Sequence, residues 1–135
     1  MEIPSSTVNS GFRALYTVEN TACGGIFASE SGRIASPNYP NAYPQNTECI
    51  WEIGGWPGNF ITLQFESFSL ESSENCNRDY VEIHERSEEG RLIGLFCGPN
   101  LPSNITTGIE KLWVKFNSDT TGIAAGFTAF YSLGK

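Results

Sequence analysis

The chain is short of positive charge, histidine, helical periodicity and long apolar runs, and each shortage excludes something. With 8 Lys+Arg against 15 Asp+Glu, it carries a net charge of −7 and a pI of about 4.6. Such a chain is a poor binder of phosphate backbones and suits cations or basic protein surfaces better. No apolar segment approaches the ~20 residues of a membrane span. The opening Met1-Glu2-Ile3-Pro4-Ser5 does not read as a signal peptide, and we expect a piece of a larger protein. Apolar residues nowhere sustain the i, i+3, i+4, i+7 spacing of a helix. Without helices there is no helix for a Gly-rich phosphate loop to open. One histidine, no G-x-S-x-G and no free cysteine leave no nucleophile–base pair, so no enzymatic activity is expected. Glu71 and Asp79 could be misread as the two carboxylates of a glycosidase. Activity on a glycan would discriminate, and none is expected.

What recurs instead is a short alternating run bounded by Gly, Pro, Asn or Ser. Runs of this kind cover 32–36, 48–53, 60–65, 80–85, 91–97, 111–116 and 126–132. In 48–53, Cys49, Trp51 and Ile53 share one face. In 80–85, Val81 and Ile83 oppose Tyr80, Glu82 and His84. Pro37, Pro40 and Pro44 preclude a regular ladder between the first two runs. The fold class is all-β, an antiparallel sandwich or barrel. At 135 residues this is one domain with a sizeable core. Trp51 and Trp113 alternate with apolar neighbours and are expected in that core. Tyr39, Tyr43 and Trp56 sit in Pro- and Gly-rich loops; packing over the sandwich ends is the first reading, and contact anchors the second. His84 falls on the polar face of its strand and is expected to be solvated.

Cys23, Cys49, Cys76 and Cys97 are dispersed, without the C-x-x-C pairs of zinc or redox motifs. An even count points to two disulfides and an oxidising compartment. Four cysteines allow three connectivities, of which sequence order favours Cys23–Cys49 and Cys76–Cys97. Asn104-Ile105-Thr106 is a glycosylation sequon that fits the same extracellular or cell-surface location, though such tripeptides also arise by chance.

One segment repeats. Gly11, Phe12, Ala14 and Tyr16 match Gly126, Phe127, Ala129 and Tyr131 in register. Residues 1–17 therefore read as the tail strand of a preceding, similar domain, 18–22 as a short linker, and 23–133 as the domain itself.

The ordered set of Cys23-Gly24-Gly25, Gly32 with Ile34, Ser36-Pro37-Asn38-Tyr39-Pro40, Tyr43-Pro44, Cys49-Ile50-Trp51, Cys76 with Asp79-Tyr80-Val81, Phe96-Cys97-Gly98, Phe116-Asn117-Ser118-Asp119 and Gly126-Phe127 resembles the CUB domain. The resemblance runs from Cys23 to about Tyr131 and implies a jelly-roll-like β-sandwich with the disulfide pairing favoured above. A tail joined to the next domain by so short a linker is similar to the tandem CUB arrays of endocytic receptors.

A calcium-binding subset of the family carries a Glu, an Asp eight residues on, and an Asp in a later Ser-Asp. Glu71, Asp79 and Asp119 stand at those positions, and backbone oxygens near Thr121 and Gly122 are the natural supplement. Ca²⁺ takes six to eight oxygens, which such a set with waters can provide. The alternative is that Asp79 and Asp119 are turn residues bonding their own backbone. The pattern departs at Ser31, where calcium-binding members often place a tyrosine that helps order the site; this bears on affinity rather than on existence. The resemblance further implies protein ligands whose Lys or Arg pairs with the exposed edge of Asp79 or Asp119, beside neighbouring CUB domains. Two other roles stay open: a spacer without a ligand, and an oligomerisation or carbohydrate-binding module of a secreted regulator or protease.

Overall fold

The structure, a computed structural model, describes residues 23–120 and 124–134. Nine strands occur among the described residues: β1 (Gly25–Phe27), β2 (Ser31–Ala35), β3 (Glu48–Gly54), β4 (Phe60–Ser69), β5 (Tyr80–Glu85), β6 (Leu92–Phe96), β7 (Ile105–Thr107), β8 (Lys111–Asn117) and β9 (Gly126–Gly134). They form a four-stranded sheet in the order β2-β9-β4-β7 and a five-stranded sheet in the order β1-β3-β8-β5-β6. All neighbours are antiparallel except β1 and β3, which run parallel. The expected all-β sandwich is what forms, and every strand read from the sequence is present with small shifts at its ends. β1 and β7, three residues each, were not anticipated.

The two inner faces meet in an aromatic core. Phe127 of β9 lies 5.7 Å from Trp51, 5.9 Å from Phe116 and 6.0 Å from Phe65, centroid to centroid. Contacts of this kind contribute ~0.5–1.5 kcal/mol each beyond the area they bury. Trp113 is buried as expected, but it lies outside this core cluster. It alternates with Leu112 and Val114, so it faces outward, where the His84 ring packs edge-on at 5.4 Å.

A bulge explains why β4 runs past the expected end at Phe65. Thr128 pairs with Ser67 and Ala129 with Phe65, leaving Glu66 as the extra residue. Ile61, Leu63 and Phe65 are buried before it, Phe68 and Leu70 after it, so the bulge returns the alternation to the core. Arg33 holds the bulged Glu66 with a two-pronged pair at 2.8 and 2.9 Å. Both expected disulfides form, with Cα separations of 5.3 Å for Cys23–Cys49 and 5.5 Å for Cys76–Cys97. Each closes a loop worth about 3 kcal/mol in the chain-entropy account.

Candidate metal centre

Three strand ends meet at one pole of the sandwich. Glu71 follows β4 directly after Leu70, whose N–H donates to the Gly98 carbonyl. Asp79 immediately precedes β5, and Asp119 lies just past β8, whose Asn117 is paired with Tyr80. The Cys76–Cys97 bond anchors the connection between Glu71 and Asp79 to the end of β6. Ser118 fixes the third loop: its hydroxyl donates to the Pro44 carbonyl at 2.7 Å and accepts from Thr47 N–H at 3.0 Å. The site therefore bridges the two sheets.

One carboxylate oxygen from each of Glu71, Asp79 and Asp119 lies within 4.8 Å of the others. Asp79 is fully buried, while Glu71 and Asp119 are half-buried. Asp79 Oδ1 accepts from Asp119 N–H at 2.9 Å, and Oδ2 accepts from the Tyr43 hydroxyl at 2.6 Å. The Tyr43 oxygen in turn accepts from Glu71 N–H at 3.2 Å. Tyr43 thus ties two of the three loops together, a role beyond the packing read first and the contact anchor read second from its sequence setting. Nothing in a Pro-rich Tyr-Pro pair announces such a contact. Gly126 makes room for it: its φ of +97° favours glycine, and a Cβ there would strike Ser36 Oγ beside the Tyr43 ring.

The electrostatics match a set of acids crowded together. Burial pushes the Asp79 carboxyl above its usual range, the neighbouring Asp119 charge adds to this, and the donors from Tyr43 and Asp119 N–H oppose it. Burial, then the bond to Asp79, also raises the Tyr43 phenol, which therefore stays a proton donor. Glu71 Oε2 lies 3.4 Å from Arg78 Nη1. Its other oxygen, Oε1, is buried without a hydrogen-bond partner. A buried carboxylate oxygen left unpaired is costly, and a hard cation among three carboxylates would relieve that cost. The residues fit a hard divalent cation such as calcium; an all-oxygen donor set argues against zinc.

Residues 23–131 match the family described as CUB domain. The chain belongs to the CUB domain family. It is 46% identical to cubilin of Sus scrofa over 96% of this chain and 48% identical to cubilin of Rattus norvegicus over 88% of it. It spans only 4% and 3% of those proteins. The MASP-1 CUB2 domain, solved bound to Ca²⁺, superposes with a TM-score of 0.75 at 34% identity, covering 82% of this chain and 99% of that one.

Several expectations need correction. Asp79 has no exposed edge, because it is enclosed by Tyr43 and the Asp119 backbone. Ser31 cannot bear on the site at all: it pairs with Ser132, at the opposite end of β2 from Ser36 and Tyr43. Five residues of strand at ~3.3 Å each separate them, and Tyr43 does the ordering instead. His84 is buried rather than solvated: it pairs directly with Trp113 across β5 and β8 on the outward face, and its ring also meets Glu82 and the Gly90 carbonyl. Trp56 is 79% exposed, so it does not lid the core, whereas Tyr43 is buried and Tyr39 half-buried. Asn104 is exposed just before β7. Thr121, Gly122 and the repeat in 1–17 lie outside the described residues.

Proposed function

We propose that this CUB domain is a calcium-stabilised, non-catalytic recognition module of a tandem, cubilin-like endocytic receptor working in the extracellular, oxidising environment. The observation that carries the calcium reading is the convergence of one carboxylate oxygen each from Glu71, Asp79 and Asp119 within 4.8 Å, beside a buried Glu71 Oε1 that has no hydrogen-bond partner. Glu71, Asp79 and Asp119 would hold the ion, with Thr121 and Gly122 as backbone supplements. When bound, calcium supplies the positive charge that three converging carboxylates lack. Tyr43 and Asp119 N–H hold Asp79 in place, and the half-exposed edges of Glu71 and Asp119 remain to pair with a Lys or Arg of a protein ligand.

Residues 1–17 are read as the tail of the preceding domain and 18–22 as the linker. The match to pig cubilin supports this, since at 96% of the chain it extends into the residues before Cys23. Asn104 and Thr106 are exposed, as glycosylation of the sequon needs.

One observation favours the spacer reading: Arg78 already sits against Glu71 Oε2, on the edge a ligand cation would approach. Calorimetry and melting in EDTA against millimolar calcium separate the two. Binding at a hundredfold excess over the dissociation constant stabilises the folded state by ~2.7 kcal/mol. Asp119→Ala should abolish that gain and leave the core intact. No binding heat and no change in melting for the unmutated chain would leave the spacer reading standing.

A further inference from the structure

The pole opposite the carboxylates exposes two large apolar side chains. Trp56, 79% exposed, and Ile26, 82% exposed, line one groove there, rimmed by the charged Glu52, Arg86 and Lys111. Trp56 opens the Trp56-Pro57-Gly58 turn after β3. A large aromatic on a short Pro-Gly turn is typical of an anchor for another surface.

The chain leaves the domain at this place. β9 starts at Gly126, beside Ser36 and Tyr43 at the carboxylate pole, and ends at Gly134, paired with Phe60. Asn59 binds both the exit and the turn: its Nδ2 donates to the Gly134 carbonyl at 3.0 Å, and its Oδ1 accepts from Trp56 N–H at 2.7 Å. The Phe60 ring lies so close across Gly134 that a Cβ there would overlap it. Whatever follows Gly134 therefore starts next to Trp56.

In the tandem reading above, the spacing of the repeat gives the reach to a following module. Thr17 aligns with Ser132 and stands six residues before Cys23. By the same spacing, the first cysteine of a following module comes four residues beyond Gly134, a reach of at most about 14 Å.

We propose that Trp56 and Ile26 form the docking surface for the next CUB module of the array, making the joint a packed interface rather than a free hinge. This rests on the tandem reading above. That reading is checked first: the parent chain must place a second cysteine-framed module within a few residues of Lys135, and its absence ends both ideas before any surface is probed.

The surface itself is tested by hydroxyl-radical footprinting of the polypeptide from Met1 through the next module, against the present chain alone. Trp51 and Trp113, both buried, serve as internal references. Trp56 oxidation should fall at least fivefold in the longer protein, and Trp56→Ser should let the two modules tumble independently by NMR relaxation. Equal Trp56 oxidation in both proteins, with the second module folded, overturns the proposal. So does protection that grows with concentration of the single module, which would assign the surface to a second copy of this chain.

Discussion

Replacing Tyr43 with phenylalanine removes one oxygen and keeps the ring. The ring retains its edge-on contact with Phe116 at 5.1 Å, and the side chain is 4% exposed, so packing is almost unchanged. What disappears is the relay from Glu71 N–H through the hydroxyl, at 3.2 Å, to Asp79 Oδ2 at 2.6 Å. A hydrogen bond to a charged group contributes ~1.5–3 kcal/mol, and a buried donor left unpaired costs ~1–3 kcal/mol. The two losses share one oxygen and do not simply add. A destabilisation of ~3 kcal/mol is expected in EDTA, on the order of 10 °C in melting temperature for a domain this size. Groups that orient metal-binding carboxylates typically cost 10–100-fold in metal affinity when removed, so calcium binding should weaken by that factor. Urea unfolding in EDTA gives the first number at unchanged m-value, and titration calorimetry gives the second. A loss under ~0.5 kcal/mol together with unchanged calcium affinity would show that Asp119 N–H alone positions Asp79 and that the relay is incidental.

Two further outcomes test other parts of the structure. The His84 ring faces the Gly90 carbonyl at 2.9 Å and Glu82 Oε2 at 2.5 Å, both acceptors, so only the doubly protonated ring donates to both. Burial lowers its pKa, but Gly90, Glu82 and Glu88 outweigh burial and raise it. The stabilisation is then fully present below the unfolded value of ~6.5 and lost as pH rises through the higher folded value; an NMR midpoint for this one histidine at or below ~6.5 contradicts the account. Deleting residues 1–20 should leave stability within about 1 kcal/mol of the full chain, as for a segment outside the core, and a collapse of folding would place that segment inside this domain.

The strands were legible because alternation survives in a half-buried sheet, as Val81 and Ile83 against Tyr80 and Glu82 show. Alternation fails at a bulge, and Glu66 hid the last part of β4 for that reason. Strands of three residues, such as β1 and β7, carry too little pattern to be seen. The same limits explain the site. Glu71, Asp79 and Asp119 could be named because the resemblance marks their positions; residue type alone fits Asp79 and Asp119 equally well as turn residues. Tyr43 could not, since its contacts join residues 28 and 36 positions away across two loops. His84 and Trp113 misled for a related reason: alternation assigns a face and does not reveal that the outward face is itself covered there.

Whether the carboxylate cluster needs a cation turns on what Arg78 can do. Its guanidinium is 54% exposed and, among the described residues, pairs with Glu71 Oε2 at 3.4 Å. An exposed pair of that kind contributes ~0–1 kcal/mol and weakens further with salt. It does nothing for Asp79, which is fully buried and held between Tyr43 and the Asp119 backbone. Asp79 is not held below the ordinary carboxylate range in the way the exposed Glu66 is beside Arg33. Instead its carboxyl is raised, by burial first and by the Asp119 charge as well, despite two hydrogen-bond donors. Glu71 Oε1 points the same way, being buried without a partner. The frame of Tyr43, Ser118 and the Cys76–Cys97 bridge therefore holds negative charges together at a cost that Arg78 does not offset. A spacer would gain nothing from that arrangement, whereas a module that binds calcium would gain a preformed site.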